Sequence, residues 1–356
     1  MNKLRIFLVI LIFGSCEEGE KENPKKYQEI EEIVIIQDST LNIRALEILR
    51  DREGCAFLTS NGSFGSVFSS EQSDMPSNTP TIVYPVSLLH DSIVPNFRAL
   101  ASTPEFNFGI SIGNPALLFR FDDKSQELVY REDHDKVFYD SMLFWNDKEG
   151  IAIGDPTEDC MSIIITRNGG QSWQKLPCTA LPMAKDGEAA FAASDTNIAV
   201  IGDHTWVATG GKSSRIMYSA DRGHTWEVFD TPIIQGTGTT GIYSIDFYNE
   251  MVGYAFGGDY MDPDENQGNK MVTHDGGKNW ELIEGGPGYR SCVQYVPHSD
   301  GKGLVAVGFE GIDYSMDGGF HWDHLSDEGY YTFRFVNDSV AFAGGKGRLS
   351  KLTFRE

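Results

Sequence analysis

Seven short strand-like segments each begin near a residue that can carry charge or bind it. They are Arg44 in "LNIRALEIL", Arg98 in "NFRALAS", Asp140 in "FYDSMLFW", Glu188 in "EAAFAAS", Tyr243 in "GIYSIDFY", Arg290 in "YRSCVQYV" and Arg334 in "YTFRFVN". Four of the seven are arginines. A guanidinium is planar and permanently charged, and its fork of N–H donors matches a carboxylate or phosphate in bidentate fashion. If the segments open on one mouth, the arginines would bind an acidic peptide, a carboxylate-bearing sugar or a partner's acidic tail. The competing reading is that Asp140 and Glu188 pair with the arginines in a purely structural network.

What would bring these residues together is a repeat. Each of the seven segments precedes a short Ala/Gly-rich strand: "GCAFLTS", "GISIGN", "GIAIGDP", "IAVIGD", "GYAFGGD", "LVAVGFEG" and "VAFAGGKG". Helical periodicity is absent. Small residues recurring in inner strands suit the radial taper of a propeller, and repeats of about 45 residues fill the chain. The expectation is an all-β, seven-bladed β-propeller in which the seven residues line one channel mouth. Only three strands follow the last segment, so the N-terminal stretch "YQEIEEIVIIQ" is expected to supply the missing one, closing the ring and removing an exposed edge. Two glycine-rich loops, "GTGTTG" (236–241) and "GGPG" (285–288), would rim the mouth.

Four hairpins share the pattern [Ser/Thr]-x-[Asp/Asn]-x-Gly-x-x-Trp. It is filled by Thr166, Asn168, Gly170, Trp173; by Ser219, Asp221, Gly223, Trp226; by Thr273, Asp275, Gly277, Trp280; and by Ser315, Asp317, Gly319, Trp322. The tryptophans stand 53, 54 and 42 residues apart. Glycine provides the positive φ, the short carboxylate or amide accepts turn N–H groups, and tryptophan packs across the fold. The first two repeats carry degenerate versions, "VFSSEQSD" and "LFRFDDKSQEL".

This pattern resembles the Asp-box, or bacterial neuraminidase repeat, which implies a folding role for the four hairpins. Sialidases are also Asp-box propellers. That resemblance implies arginines on a substrate carboxylate, a tyrosine nucleophile with its glutamate, and an aspartate acid/base. By residue type the counterparts are Arg44, Arg98, Arg290, Arg334, Tyr243, Glu188 and Asp140, but the sialidase Arg-Ile-Pro motif is missing from "NIRALEIL" and sialidases have six blades. The chain is closer to the photosystem II assembly and stability factor family and to bacterial lipoproteins of that architecture, over roughly residues 40–352. This resemblance implies a non-enzymatic binding or assembly factor whose arginines gather on one face. A sialidase-like glycoside hydrolase on acidic sugars is the alternative. A third reading, an oxidoreductase-labelled propeller with a bound cofactor, rests on the labels such chains sometimes carry.

The chain opens "MNKLRIFLVILIFGSC", with basic residues, a short apolar run and a cysteine after small residues. Residues 1–15 are therefore expected to be a lipoprotein signal peptide, with Cys16 lipidated, 16–26 a flexible tether and 27–356 a single propeller domain. The protein would be anchored to a bacterial membrane, periplasmic or cell-surface, and monomeric, touching the membrane through its lipid alone. A net charge of −23 disfavours nucleic acid as a partner. Cys160 and Cys178 sit on the two arms of one hairpin and are placed to form a disulfide in an oxidising compartment.

No cofactor is expected. The acidic loop bearing Asp259, Asp262, Asp264 and Asn266 has oxygen ligands that would suit calcium, but not in the EF-hand register. His321 and His324 lack zinc spacing. Gly236, Gly238 and Gly241 match G-x-G-x-x-G, yet a dinucleotide site needs a helix next, and "IYSIDFY" reads as a strand.

Overall fold

The protein is described by a computed structural model covering residues 25–49, 54–68 and 81–356, with the backbone alone for 81–86. Cys16, the signal peptide expected at 1–15 and most of the tether expected at 16–26 lie outside the described residues. The fold is an all-β propeller whose only helical piece, among the described residues, is a 3₁₀ turn at Cys178–Ala180. No helix among them is long and apolar enough to cross a membrane.

All strand pairs are antiparallel, and they join into six hydrogen-bonded sheets rather than seven separate blades. The reason is strand length. Glu29–Ile48 pairs with Val340–Arg355 over its first half, from Glu29 opposite Arg355 to Gln37 opposite Arg348. Its second half pairs with Gly54–Thr59, from Ile43 to Ile48. One continuous strand thus fuses the end of the chain to its beginning in a single six-stranded sheet.

A second fusion, and a departure from expectation, occurs at "EAAFAAS". Only Glu188–Ala189 is a strand there, and it pairs with Gly210–Gly211. That short piece reaches the next sheet through one pairing, Gly210 with Gly241. Ile198–Ile201, expected as a second strand, instead begins the sheet continued by His204–Ala208, Arg215–Ser219 and Glu227–Asp230. The close approach is why glycine recurs at this seam: a Cβ on Gly241 (φ 134°) would lie 2.5 Å from Gly210 Cα, and one on Gly257 1.8 Å from Gly241 O. This requirement accounts for the last glycine of the G-x-G-x-x-G segment. The segment leads into the strand Thr240–Phe247, which leaves no helix terminus for a pyrophosphate.

Central strands such as Ser162–Thr166 are buried along their whole length, as strands covered on both faces should be. The core lies between adjacent sheets. Trp173 packs edge-on against Phe144 at 5.7 Å and Phe108 at 6.3 Å, reaching the preceding sheet. Trp322 does the same against Phe256 at 5.6 Å. The four hairpin turns are built alike. The Ser/Thr hydroxyl accepts the glycine N–H, at 3.0 Å for Gly170, 2.7 Å for Gly223, 3.0 Å for Gly277 and 2.9 Å for Gly319. The Asp or Asn oxygen accepts N–H groups further round, such as Asn279 to Asp275 at 2.9 Å. Cys160 and Cys178 are joined by a disulfide, with Cα atoms 5.4 Å apart.

Candidate functional site

Arg44 and Arg98 come from neighbouring inner strands, Glu29–Ile48 and Asn96–Ser102, and both line a cavity of 580 Å³. The walls are strongly aromatic: Phe138, Phe191, Tyr243, Tyr260, Tyr289, Phe309 and Tyr331. The Arg44 guanidinium lies 3.6 Å from the centre of the Tyr331 ring and donates to Ala193 O at 3.0 Å. The Nε atoms of Arg44 and Arg98 are buried without a hydrogen-bond partner. Burial, then the like charge of Arg44, lowers the Arg98 pKa to about 10, against the pull of Tyr331 and Asp140. Two crowded cations facing a partly apolar cavity favour an incoming anion, because an opposite charge there would be only weakly screened.

Of the two carboxyl groups nearby, Asp140 leaves this charge uncancelled, and Asp155 offsets part of it only above its own pKa. Asp140 is fully buried, and neither of its oxygens finds a hydrogen-bond partner in good geometry. Burial and the neighbouring Asp155 push its pKa far up, against Arg98 and the Ala192 N–H. Asp155 lines the cavity and accepts the Ala190 N–H at 2.8 Å; burial raises its pKa to about 6. Asp140 lies on the strand Tyr139–Phe144, whereas Asp155, in "GIAIGDP", directly follows Gly150–Gly154 and is not among the residues expected from sequence.

The floor of the cavity is the irregular segment 190–197, which crosses the ring centre. Ser194 Oγ donates to Ser291 O at 2.6 Å, and Thr332 Oγ1 donates to Ser194 O at 2.8 Å. Ile245 N–H donates to Thr196 O at 2.9 Å. Asp195, at φ 60°, accepts the N–H groups of Leu100 at 2.8 Å and Met142 at 3.0 Å. Ala189–Ala193 face the 580 Å³ cavity, whereas Asp195 and Thr196 face a second of 160 Å³ lined also by Glu47, Asp246 and Arg334. The segment thus separates two chambers. Its polar, turn-forming run "SDTN" was the available signal, masked by the strand-like "EAAFAA" before it.

The seven residues expected at one mouth are therefore distributed. Arg44, Arg98 and Tyr243 line the main cavity, and Asp140 sits behind Arg98. Tyr243 stacks on Phe191 at 4.1 Å and donates its hydroxyl to Thr239 O at 2.7 Å. Glu188 does not join them: its oxygens take Arg215 at 2.6 and 3.0 Å and Thr209 at 2.7 Å. Arg290 is held by Asp313 at 2.6 Å and by Tyr289 O at 2.7 Å. Arg334 lies on the far side of the crossing segment, donating to Asp195 O at 3.1 Å. The tyrosine–glutamate pair and arginine trio that a sialidase-type reaction needs are not assembled around one cavity.

Of the two glycine-rich loops, the first contributes Gly238 to the cavity wall. The second is tied to the protein body, with Lys270 Nζ donating to Pro287 O at 3.0 Å. Among the described residues, no group of three or more His, Cys, Asp or Glu side chains is placed to hold a metal ion. In the acidic loop, Asp259 Oδ1 accepts the Met261 N–H at 2.9 Å.

No protein-family model matches the sequence, and no curated protein matches it. Solved structures do. The chain is similar to YCF48 bound to D1 peptide, with a TM-score of 0.62 and 16% identity over 94% of this chain and 97% of that one. It is similar to U3-55K, with a TM-score of 0.62 and 11% identity over 91% of this chain and 98% of the other. YCF48 from Cyanidioschyzon merolae gives a TM-score of 0.59 and 11% identity, again over 91% and 98%. At these identities the likeness establishes the β-propeller fold.

Proposed function

We propose that the protein is a binding or assembly factor that takes an acidic segment of a partner protein into the Arg44–Arg98 cavity. The observation that carries this reading is the pair of guanidiniums with unpartnered Nε atoms in an aromatic-walled cavity. Aromatic walls offer rigid contact area for side chains flanking the anion, and arginine with tyrosine is the composition typical of binding hot spots. The structural likeness to a YCF48 bound to a peptide supports the same direction. In this reading the pairing of Glu29–Gln37 with Arg348–Arg355 closes the ring, the four matching turns are Asp-boxes, and Cys16 carries a lipid that holds the propeller at an extracytoplasmic membrane face.

The test is calorimetric titration of a glutamate-rich peptide and a lysine-rich peptide of equal length. The acidic peptide should bind and the basic one should not. Arg98→Ala should weaken acidic-peptide binding at least about ten-fold, or about 1.4 kcal/mol. Equal affinity of the variant and the parent for the acidic peptide refutes the site.

A further inference from the structure

The 580 Å³ cavity does not end at its own walls. Phe309 and Tyr331 also line a neighbouring cavity of 360 Å³, whose other residues are Gln37, Gly329, Tyr330, Lys346, Gly347 and Arg348. Phe309 is 38% exposed although it is a large apolar side chain, and it packs on Tyr289 of the first cavity at 5.3 Å. The two rings therefore form a shared wall between the chambers.

The second cavity has its own cation. Arg348 is committed, paired with Glu328 and lying 3.4 Å from Glu32, over the Tyr330 ring. Lys346 is exposed, and among the described residues it makes no ion pair. The fold holds it outward. Gly347 follows at φ 73°, with its Cα packed so closely on the Glu29–Ile48 strand that a Cβ would lie 3.1 Å from Ser39 Cα. At this point the Glu29–Ile48 strand loses register between Gln37 and Asn42, Asn42 pairs with Lys346, and Gln37 and Lys346 both line the second cavity.

Accepting the acidic-segment reading above, we propose that the two cavities are consecutive subsites of one groove for an extended acidic polypeptide. One carboxylate seats against Arg44 and Arg98, the chain passes over Phe309 and Tyr331, and a second carboxylate meets Lys346. An extended chain advances about 3.3 Å per residue and points alternate side chains the same way, so acidic residues spaced along one face can serve both subsites. A small anion would fill the first cavity alone and gain nothing from Lys346.

The experiment measures fluorescence anisotropy of two labelled probes, diglutamate and octaglutamate, with the parent, Lys346→Glu and Arg98→Ala. Salt is kept at about 150 mM, where the Debye length is about 8 Å and remote charges are screened. Lys346→Glu should weaken octaglutamate about ten-fold and leave diglutamate unchanged, while Arg98→Ala weakens both. If Lys346→Glu leaves octaglutamate unchanged, or weakens both probes equally, the second subsite is refuted while the first stands. If Arg98→Ala changes neither probe, or octaglutamate shows no saturable binding to the parent, the acidic-segment reading falls and this inference with it. Because Lys346 is exposed and makes no ion pair among the described residues, its variant tests binding rather than folding.

Discussion

Asp195 accepts the backbone N–H of Leu100 at 2.8 Å across 95 residues of sequence. Its other oxygen accepts Met142 N–H at 3.0 Å, so one buried carboxyl clamps two inner strands to the segment that crosses the ring. Asp195→Ala would leave two buried N–H groups without acceptors, at about 1–3 kcal/mol each. It would also place alanine at φ 60°, which aspartate and asparagine tolerate better. The expected loss is about 3 kcal/mol, measured as a lower urea midpoint. Asp195→Asn keeps one oxygen and should lose about half as much; an unchanged midpoint for Asp195→Ala would show that the clamp contributes nothing.

Glu188 and Arg215 form a bidentate pair with side-chain exposures of 0% and 8%. Such a pair adds little over a well-packed apolar replacement, but breaking it strands a buried charge at about 3–5 kcal/mol. Arg215→Ala is therefore expected to destabilise the fold by that amount. The double variant Glu188→Gln, Arg215→Met should recover much of the loss. Chemical denaturation of Arg215→Ala and of the double variant decides the matter, and a double variant that loses as much as Arg215→Ala or more would contradict the pairing argument.

These two clusters show where sequence reading reached and where it stopped. The β class, the four turns and the inner-strand arginines were legible because each depends on local chemistry: glycine at positive φ, a hydroxyl four residues before it, small residues in tapering strands. Separating Glu188 and Arg290 from Arg98 was not legible, because their partners, Arg215 and Asp313, lie in other strands and carry no motif. The crossing segment was missed because "EAAFAA" alternates like a strand, while what bends it is tertiary: Asp195 satisfying amides from two other sheets. The sheet count changed for a similar reason, since nothing local says that Glu29–Ile48 continues unbroken from its pairing with Val340–Arg355 to its pairing with Gly54–Thr59.

The disulfide between Cys160 and Cys178 spans a sequence separation of 18. Closing a loop of that size restricts the unfolded chain by about 3 kcal/mol in the chain-entropy account. A reducing agent should lower the urea midpoint accordingly and leave Cys178→Ser unaffected. Cys55 and Cys292 are buried thiols and should not contribute to the shift. A parent protein equally stable with and without reductant would show that the crosslink constrains little.

The charge balance of the main cavity should depend on pH through Asp155. Burial raises its pKa to about 6, so above that pH it is a carboxylate beside the arginines, and below it a neutral acid. Losing that negative charge favours an incoming anion, so affinity should rise as pH falls from 8 to 5. Glutamate side chains of a peptide ligand, with ordinary pKa values of about 4.3, remain mostly charged over this window. No histidine lines the cavity to produce the same trend. Asp155→Asn, which keeps an oxygen for the Ala190 N–H, should bind octaglutamate at pH 8 about as well as the parent does at pH 5, with a flat profile between. A parent profile that is flat, or that weakens toward pH 5, would place the titrating group elsewhere.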